Sequence, residues 1–386
     1  MNAMPTRHGR SPSLDALRAG AAGLVLLSHA RSLVFRDAGP GLSWPAALFY
    51  GVSGLGHQAV IVFFALSGLV VTTSMLRLAA SGRWSLPGFA ATRLVRLWIV
   101  LVPCLLGGAL VDRIGLALGT QPYGIPAVGH PAPPVDLGIG TVLGNLAFLQ
   151  TITVPVLGSN GPLWSLANEG WYYVLAGLAF AAWQARRRPG VALGLAAAAL
   201  ATGALLPPAI VALAPVWGFG AGVALLRHCF QELPTALRRA ASWLGSCGVA
   251  ALLPASRLHW GLEPLAADLA LGAAVAALLL ALPKPKPGPP DRGADILRRL
   301  ADGTYSLYLS HVPVLAFAAA VTIGSQRLPV GVEAFGWLAS GLGLAVGTGW
   351  AVWWSCERHT DRLRAWLARP LLRVPSPTPL AREAMP

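Results

Sequence analysis

Apolar runs long enough to cross a bilayer recur from one end of this chain to the other, and that recurrence rules out most folds. Hydrophobic residues make up 55% of the 386 positions and charged residues only 11%. An ordinary soluble domain carries roughly 25% charge. The periodicity places ten helices at about 14–36, 52–76, 94–118, 162–183, 190–206, 208–226, 240–255, 263–282, 304–324 and 334–356. The fold class expected is an all-α, polytopic membrane bundle. The stretch 140–155 is apolar enough to span, but a span there would move Arg186–Arg188 to the wrong side. It is read as a re-entrant or interfacial piece.

The net charge of +14 raises nucleic acid as a partner, but the arginines sit in short loops between apolar runs rather than on one basic face. With the N-terminus inside, the inner loops hold Arg77, Arg83, Arg93, Arg96, Arg186–Arg188, Arg227, Arg238, Arg239 and the basic stretch 284–299. The outer loops hold Arg36, Arg257 and Arg327. This asymmetry puts both ends in the cytoplasm and divides the chain into a cytoplasmic segment 1–13, a membrane domain 14–358 and a cytoplasmic tail 359–386. The first helix has no small-residue cleavage site and is kept as a helix of the mature chain. The Pro-rich segment 283–295 is expected to be extended, and the last residues disordered. Cys104, Cys229, Cys247 and Cys356 have no metal-binding spacing and are expected to pack as small apolar residues; no metal is expected.

Ionisable residues within such spans are costly and point to function. Arg18 and His29 are eleven residues apart, about three helical turns, so they share a face and lie roughly 16 Å apart along the axis. Arg18 falls in the cytoplasmic half and His29 just past the midplane. Alternatives remain for each: Arg18 as a snorkelling anchor or a partner of Asp15, His29 as a hydrogen-bonded core residue. In "GPLWSLANEGWYYVL" Glu169 falls near the depth of His29, with Tyr172 and Tyr173 one turn on, while Trp164 and the tyrosines also suit an interfacial belt. His311, with Tyr308 beneath it and Pro313 just above, falls near the midplane. Arg93 and Arg96 sit at the cytoplasmic mouth of the third helix, where anchoring and phosphate binding are equally compatible. Glu357 and Arg358 at the end of the last helix are read as a structural ion pair.

These segments together resemble the bacterial integral-membrane acyltransferase family 3. "LDALRAGAAGLVLLSH" resembles its opening motif of an arginine, ten residues and a histidine, here Arg18 and His29. "FFALSG", which includes Ser67, "RLVR", "WSLANE", "YSLYLSHVP" and "CERH" resemble its later motifs, in the family order. The chain departs from the pattern after Arg96, at Gly170, where an acidic residue is common, and after "CERH", which lacks the usual proline. The resemblance implies an acyl-CoA donor, most often acetyl-CoA, with His29 as catalytic base and Arg18, Arg93 and Arg96 handling the donor. It implies a glycan, lipid-linked sugar or small hydroxylated molecule as acceptor, and a multi-pass place in the bacterial inner membrane. Ser67, Tyr172, Tyr173 and Tyr308 are candidate relays if an acyl-enzyme forms. Two rival readings stay open: a transporter or flippase that passes protons through His29, Glu169 and His311, and a purely structural or lipid-binding subunit.

Overall fold

The computed structural model describes residues 11–119, 123, 134–258, 261, 263–282, 292–324 and 326–371. The extended stretch expected over 283–291 and the tail beyond 371 lie outside them. Among the described residues the protein is all-helical, apart from isolated bridges such as Phe35 to Leu328. The elements are α1 (Pro12–Val34), α2 (Trp44–Ser53), α3 (Gly56–Ala80), α4 (Leu86–Ala117), α5 (Ile139–Leu146), α6 (Leu163–Gln184) and α7 (Pro189–Leu205). They continue with α8 (Pro208–Glu232), α9 (Thr235–Leu258), α10 (Pro264–Ala281), α11 (Arg292–Asp302), α12 (Thr304–Thr322), α13 (Val332–Ser355), a 3-10 turn (Glu357–His359) and α14 (Thr360–Leu371).

All ten expected segments are helical, and six stretches are long and apolar enough to cross a membrane. Proline opens α1, α4, α7, α8 and α10 within the first turn, where its missing N–H costs nothing. The outside of the bundle is apolar. Leu106, Leu110, Ile114 and Leu118 form an exposed row along α4, and α7 buries none of its residues although it is apolar all round. Such surfaces are stable against lipid, not water.

Several sequence expectations need correction. α4 begins at Leu86, so Arg93 and Arg96 lie two to three turns inside a helix rather than at its mouth. Ser85 accepts the Gly88 N–H and starts the helix early. α9 is a full-length helix of 24 residues, not a short one. The segment expected to be extended is already helical from Arg292, where Asp295 is held by Arg298 and Arg299 one turn on. Only Cys104 is buried; Cys356 is half-buried, and Cys229 and Cys247 are exposed.

Segment 139–161 does not form a spanning helix. α5 has eight residues and rises only about 12 Å. Beyond it Phe148 and Thr151 take positive φ. Buried side chains satisfy this irregular backbone, as a low-dielectric setting requires. Asn145 donates to the carbonyls of Thr141 and Pro155 at 2.8 and 3.0 Å and accepts the Leu157 N–H at 3.2 Å. Asp112 accepts the N–H and hydroxyl of Ser159.

α3 lies at the centre, packed on α8, α1 and α10. Its closest crossing is with α8, where Gly68 faces the Trp217 carbonyl and Gly220 faces the Ala65 carbonyl with no room for a Cβ. Gly68→Val is therefore expected to cost about 2 kcal/mol, the usual penalty of overpacking, read as a lower unfolding midpoint in detergent. Gly20, with open space around it, is the control: Gly20→Ala should be neutral or slightly stabilising.

Candidate functional site: a histidine pair between two arginine-rich ends

α1 and α12 run side by side and bring two histidines together. His29 Nδ1 lies 2.8 Å from His311 Nε2, with the rings nearly parallel. His311 Nδ1 lies 2.9 Å from the Leu307 carbonyl. A carbonyl only accepts, so His311 Nδ1 carries the proton and its Nε2 offers a lone pair. That lone pair must receive the Nδ1–H of His29. The hydrogen bonds thus leave His29 Nε2 as an imidazole lone pair with no partner among the described residues, a tautomer assigned from the network.

Pro313 tightens this arrangement. It cannot donate to the Leu309 carbonyl four residues earlier, and the Asn160 amide donates there instead at 2.8 Å. The irregular stretch before α6 is thereby bonded to the helix that carries His311. Gly349 of α13 packs directly on Leu307, the residue whose carbonyl sets the histidine tautomer.

Glu169 is not joined to His29. It accepts the Ser67 hydroxyl at 2.9 Å and the Tyr173 hydroxyl, and Ser67 also receives the Trp217 indole N–H at 3.3 Å. α6 turns Glu169 toward α3, whereas the partner of His29 comes from α12. Gly170 is explained locally: a Cβ there would press on the Phe148 ring at 3.0 Å, so the acidic side chain common in the resembled family has no room. Tyr308 shares a 2.6 Å hydrogen bond with Ser165 and stands with its ring 6.0 Å from His311. Tyr172 donates to the Ile210 carbonyl at 2.7 Å and ties α6 to α8. Trp164 stacks under His57, itself 2.8 Å from Asp268.

At the end of the bundle where α4 and α12 begin, the arginines divide. Arg96 donates to Glu357 at 2.6 Å and lies over the Tyr305 ring. The other oxygen of Glu357 accepts the Ser306 N–H and hydroxyl, capping α12, whose own N-cap is glycine. The ion pair expected between Glu357 and Arg358 is thus made with Arg96. Arg358 lies instead over the Trp354 ring. Arg93 covers the rings of Phe89 and Tyr173, and its buried Nε has no hydrogen-bond partner among the described residues. α14 packs across α4 and brings Arg364 within electrostatic range of Arg93 and Arg96; the Arg364 Nη1 lies 3.6 Å from Asp361, and its buried Nε has no hydrogen-bond partner among the described residues. Arg364 falls in the segment 359–386 that the sequence assigns to a cytoplasmic tail. The alternation "TDRLRAWLARPL" is the amphipathic signal that could have placed it on a helix. Arg18 stays on α1, 4.0 Å from the buried Asp15. Among the described residues no group of three His, Cys, Asp or Glu is placed to hold a metal ion.

Fold and site together define a membrane-embedded helical protein with an imidazole lone pair at its centre. The chain belongs to the acyltransferase 3 family: the family's model, described as an acyltransferase domain, matches residues 11–354. It is also similar to an O-acetyl transferase of Shigella phage Sf6, at 29% identity over 174 residues. That match covers 45% of this chain and 46% of the phage protein, less than half of either. No solved structure matches.

Proposed function

We propose that the protein is a multi-pass membrane O-acyltransferase that moves an acyl group, acetyl in the simplest case, from acyl-CoA to a hydroxyl of a glycan, lipid-linked sugar or other hydroxylated molecule. The reading includes ten crossings, cytoplasmic ends and a bacterial inner membrane, and rests there on the arginine asymmetry. The observation that carries the chemistry is the unpartnered Nε2 of His29, held in one tautomer by His311 and the Leu307 carbonyl.

When bound, the thioester supplies an activated acyl carbon and a sulfur leaving group. His29 Nε2 takes the acceptor's hydroxyl proton as that oxygen bonds to the acyl carbon. The carbon–sulfur bond breaks, and His29 returns the proton to the departing thiolate. His311 orients His29 and accepts from the imidazolium Nδ1–H formed in between. Transfer is direct: Ser67, Tyr172, Tyr173 and Tyr308 each have other hydrogen-bond partners, and among the described residues no hydroxyl is bonded to His29. The donor's phosphates fit the unfilled N–H groups of Arg93 and Arg364, since guanidinium forks match phosphate oxygens. Arg96 shapes that site through Glu357, and Arg18 guards the same end of α1. Glu169 braces Tyr173 beneath Arg93.

Purified protein incubated with acetyl-labelled CoA is the test. Label is expected to leave CoA for water or for hydroxylated acceptors in a membrane extract. Intact thioester after long incubation with that extract, together with proton-coupled solute uptake into proteoliposomes, would replace this reading with the transporter.

A further inference from the structure

At the opposite end of α1 from Asp15 and Arg18, a second group of cations gathers. Arg31 is 7% exposed, and its Nε has no hydrogen-bond partner among the described residues. Its Nη2 reaches the hydroxyl of the neighbouring Ser32, at 3.1 Å, and its guanidinium lies over the Tyr50 ring. The nearby carboxylate, Asp37, is already gripped by Arg327 through two 2.9 Å bonds. Arg257 and Arg327 are both close enough to act on Arg31 electrostatically, and Asp37 acts on it in the opposite sense. Arg257 from α9 lies flat on Gly54, with its Nη2 where a Cβ would touch at 3.0 Å. Just beyond, Gly56 at the start of α3 presses on Ser28, the residue before His29. Among the described residues no carboxylate forms an ion pair with Arg31 or Arg257.

A buried guanidinium with an unfilled N–H and two cations in range is unfavourable unless an anion joins it. The five donors of an arginine fit the paired oxygens of a phosphate or carboxylate. The position narrows what such an anion belongs to. Arg31 is two residues from His29, a rise of about 3 Å. Residues at that spacing leave a helix on different sides, but the long side chain stays within electrostatic range of the imidazole. The group also lies at the far side of the histidine pair from Arg93 and Arg364, so it does not belong to the donor end.

We infer that Arg31 and Arg257 bind an oxyanion carried by the acceptor, so that the molecule acylated is an acidic polyol, phosphorylated or carboxylated, and not a neutral one. This rests on the acyltransferase reading for the word acceptor; the anion site itself does not.

The experiment measures binding to the full chain in maltoside detergent by calorimetry, with glucose 1-phosphate, glucuronate, methyl glucoside and phosphatidylglycerol as probes. At least one charged sugar is expected to bind tenfold or more tighter than methyl glucoside. Arg31→Gln and Arg257→Gln should each remove that preference while CoA binding stays unchanged. Should Arg31→Gln fail to fold, the partly exposed Arg257→Gln carries the test. Equal binding of charged and neutral sugars, or a preference that survives both substitutions, overturns the inference. Binding of phosphatidylglycerol alone overturns it too, since the site would then hold a lipid headgroup. Failure of thioester turnover in the wild type, with charge-selective sugar binding intact, would instead remove the acyltransferase reading and leave the anion site.

Discussion

His29→Ala should yield a protein that inserts and folds but transfers acyl groups about 10²- to 10⁴-fold more slowly, the usual contribution of a positioned general base. The structural loss is about 1–3 kcal/mol, because His311 Nε2 on a buried side chain loses its donor. The elution profile should therefore stay close to wild type and the unfolding midpoint fall modestly, while turnover of labelled acetyl-CoA collapses. Wild-type turnover in this variant would remove His29 from the chemistry. The prediction is specific to the nitrogen: the pairing with His311 occupies Nδ1, so only Nε2 can take the acceptor proton.

Glu357→Gln should have a large effect on stability. The carboxylate holds Arg96 with one oxygen and caps α12 through Ser306 with the other, so one side chain ties together α4, α12 and the end of α13. Neutralising it leaves the Arg96 guanidinium without its counter-ion. Breaking a buried pair from one side costs about 3–5 kcal/mol. Arg96 keeps a third of its side chain exposed, so about 2 kcal/mol is expected, seen as a clear drop in the thermal midpoint. Adding Arg96→Met should recover part of the loss, because the stranded charge is then gone. Arg358→Gln is the contrast. Arg358 touches the Trp354 face and no carboxylate among the described residues, so its loss should stay within about 0.5 kcal/mol. Equal effects at Glu357 and Arg358 would restore the pair expected from sequence.

What sequence revealed and what it hid follow from range. Helix positions were legible because apolar runs are local: α7 and α10 match their expected bounds to within one or two residues. His29, Glu169 and His311 could be singled out because polar groups inside apolar runs stand out one at a time. Their pairing could not. That Arg96 meets Glu357 across 261 positions, or His29 meets His311 across 282, is decided by how helices pack and not by any local pattern. Asn160 shows the boundary between the two. Pro313 announces a freed carbonyl at Leu309, but only the fold says which amide reaches it. Arg31 escaped notice because at the helix end it reads as one more terminal cation, and only burial and an Nε with no hydrogen-bond partner among the described residues set it apart.

The acceptor at the end of the histidine chain is a peptide carbonyl, where many histidine bases rest against a carboxylate. A carboxylate there would keep a fixed negative charge inside the bilayer, where moving one elementary charge through the field involves about 2.3 kcal/mol per 100 mV. With Leu307 in that place, the resting pair is electrically silent. Charge arises in the pair only during the lifetime of the imidazolium, so the waiting base itself offers the membrane potential no lever.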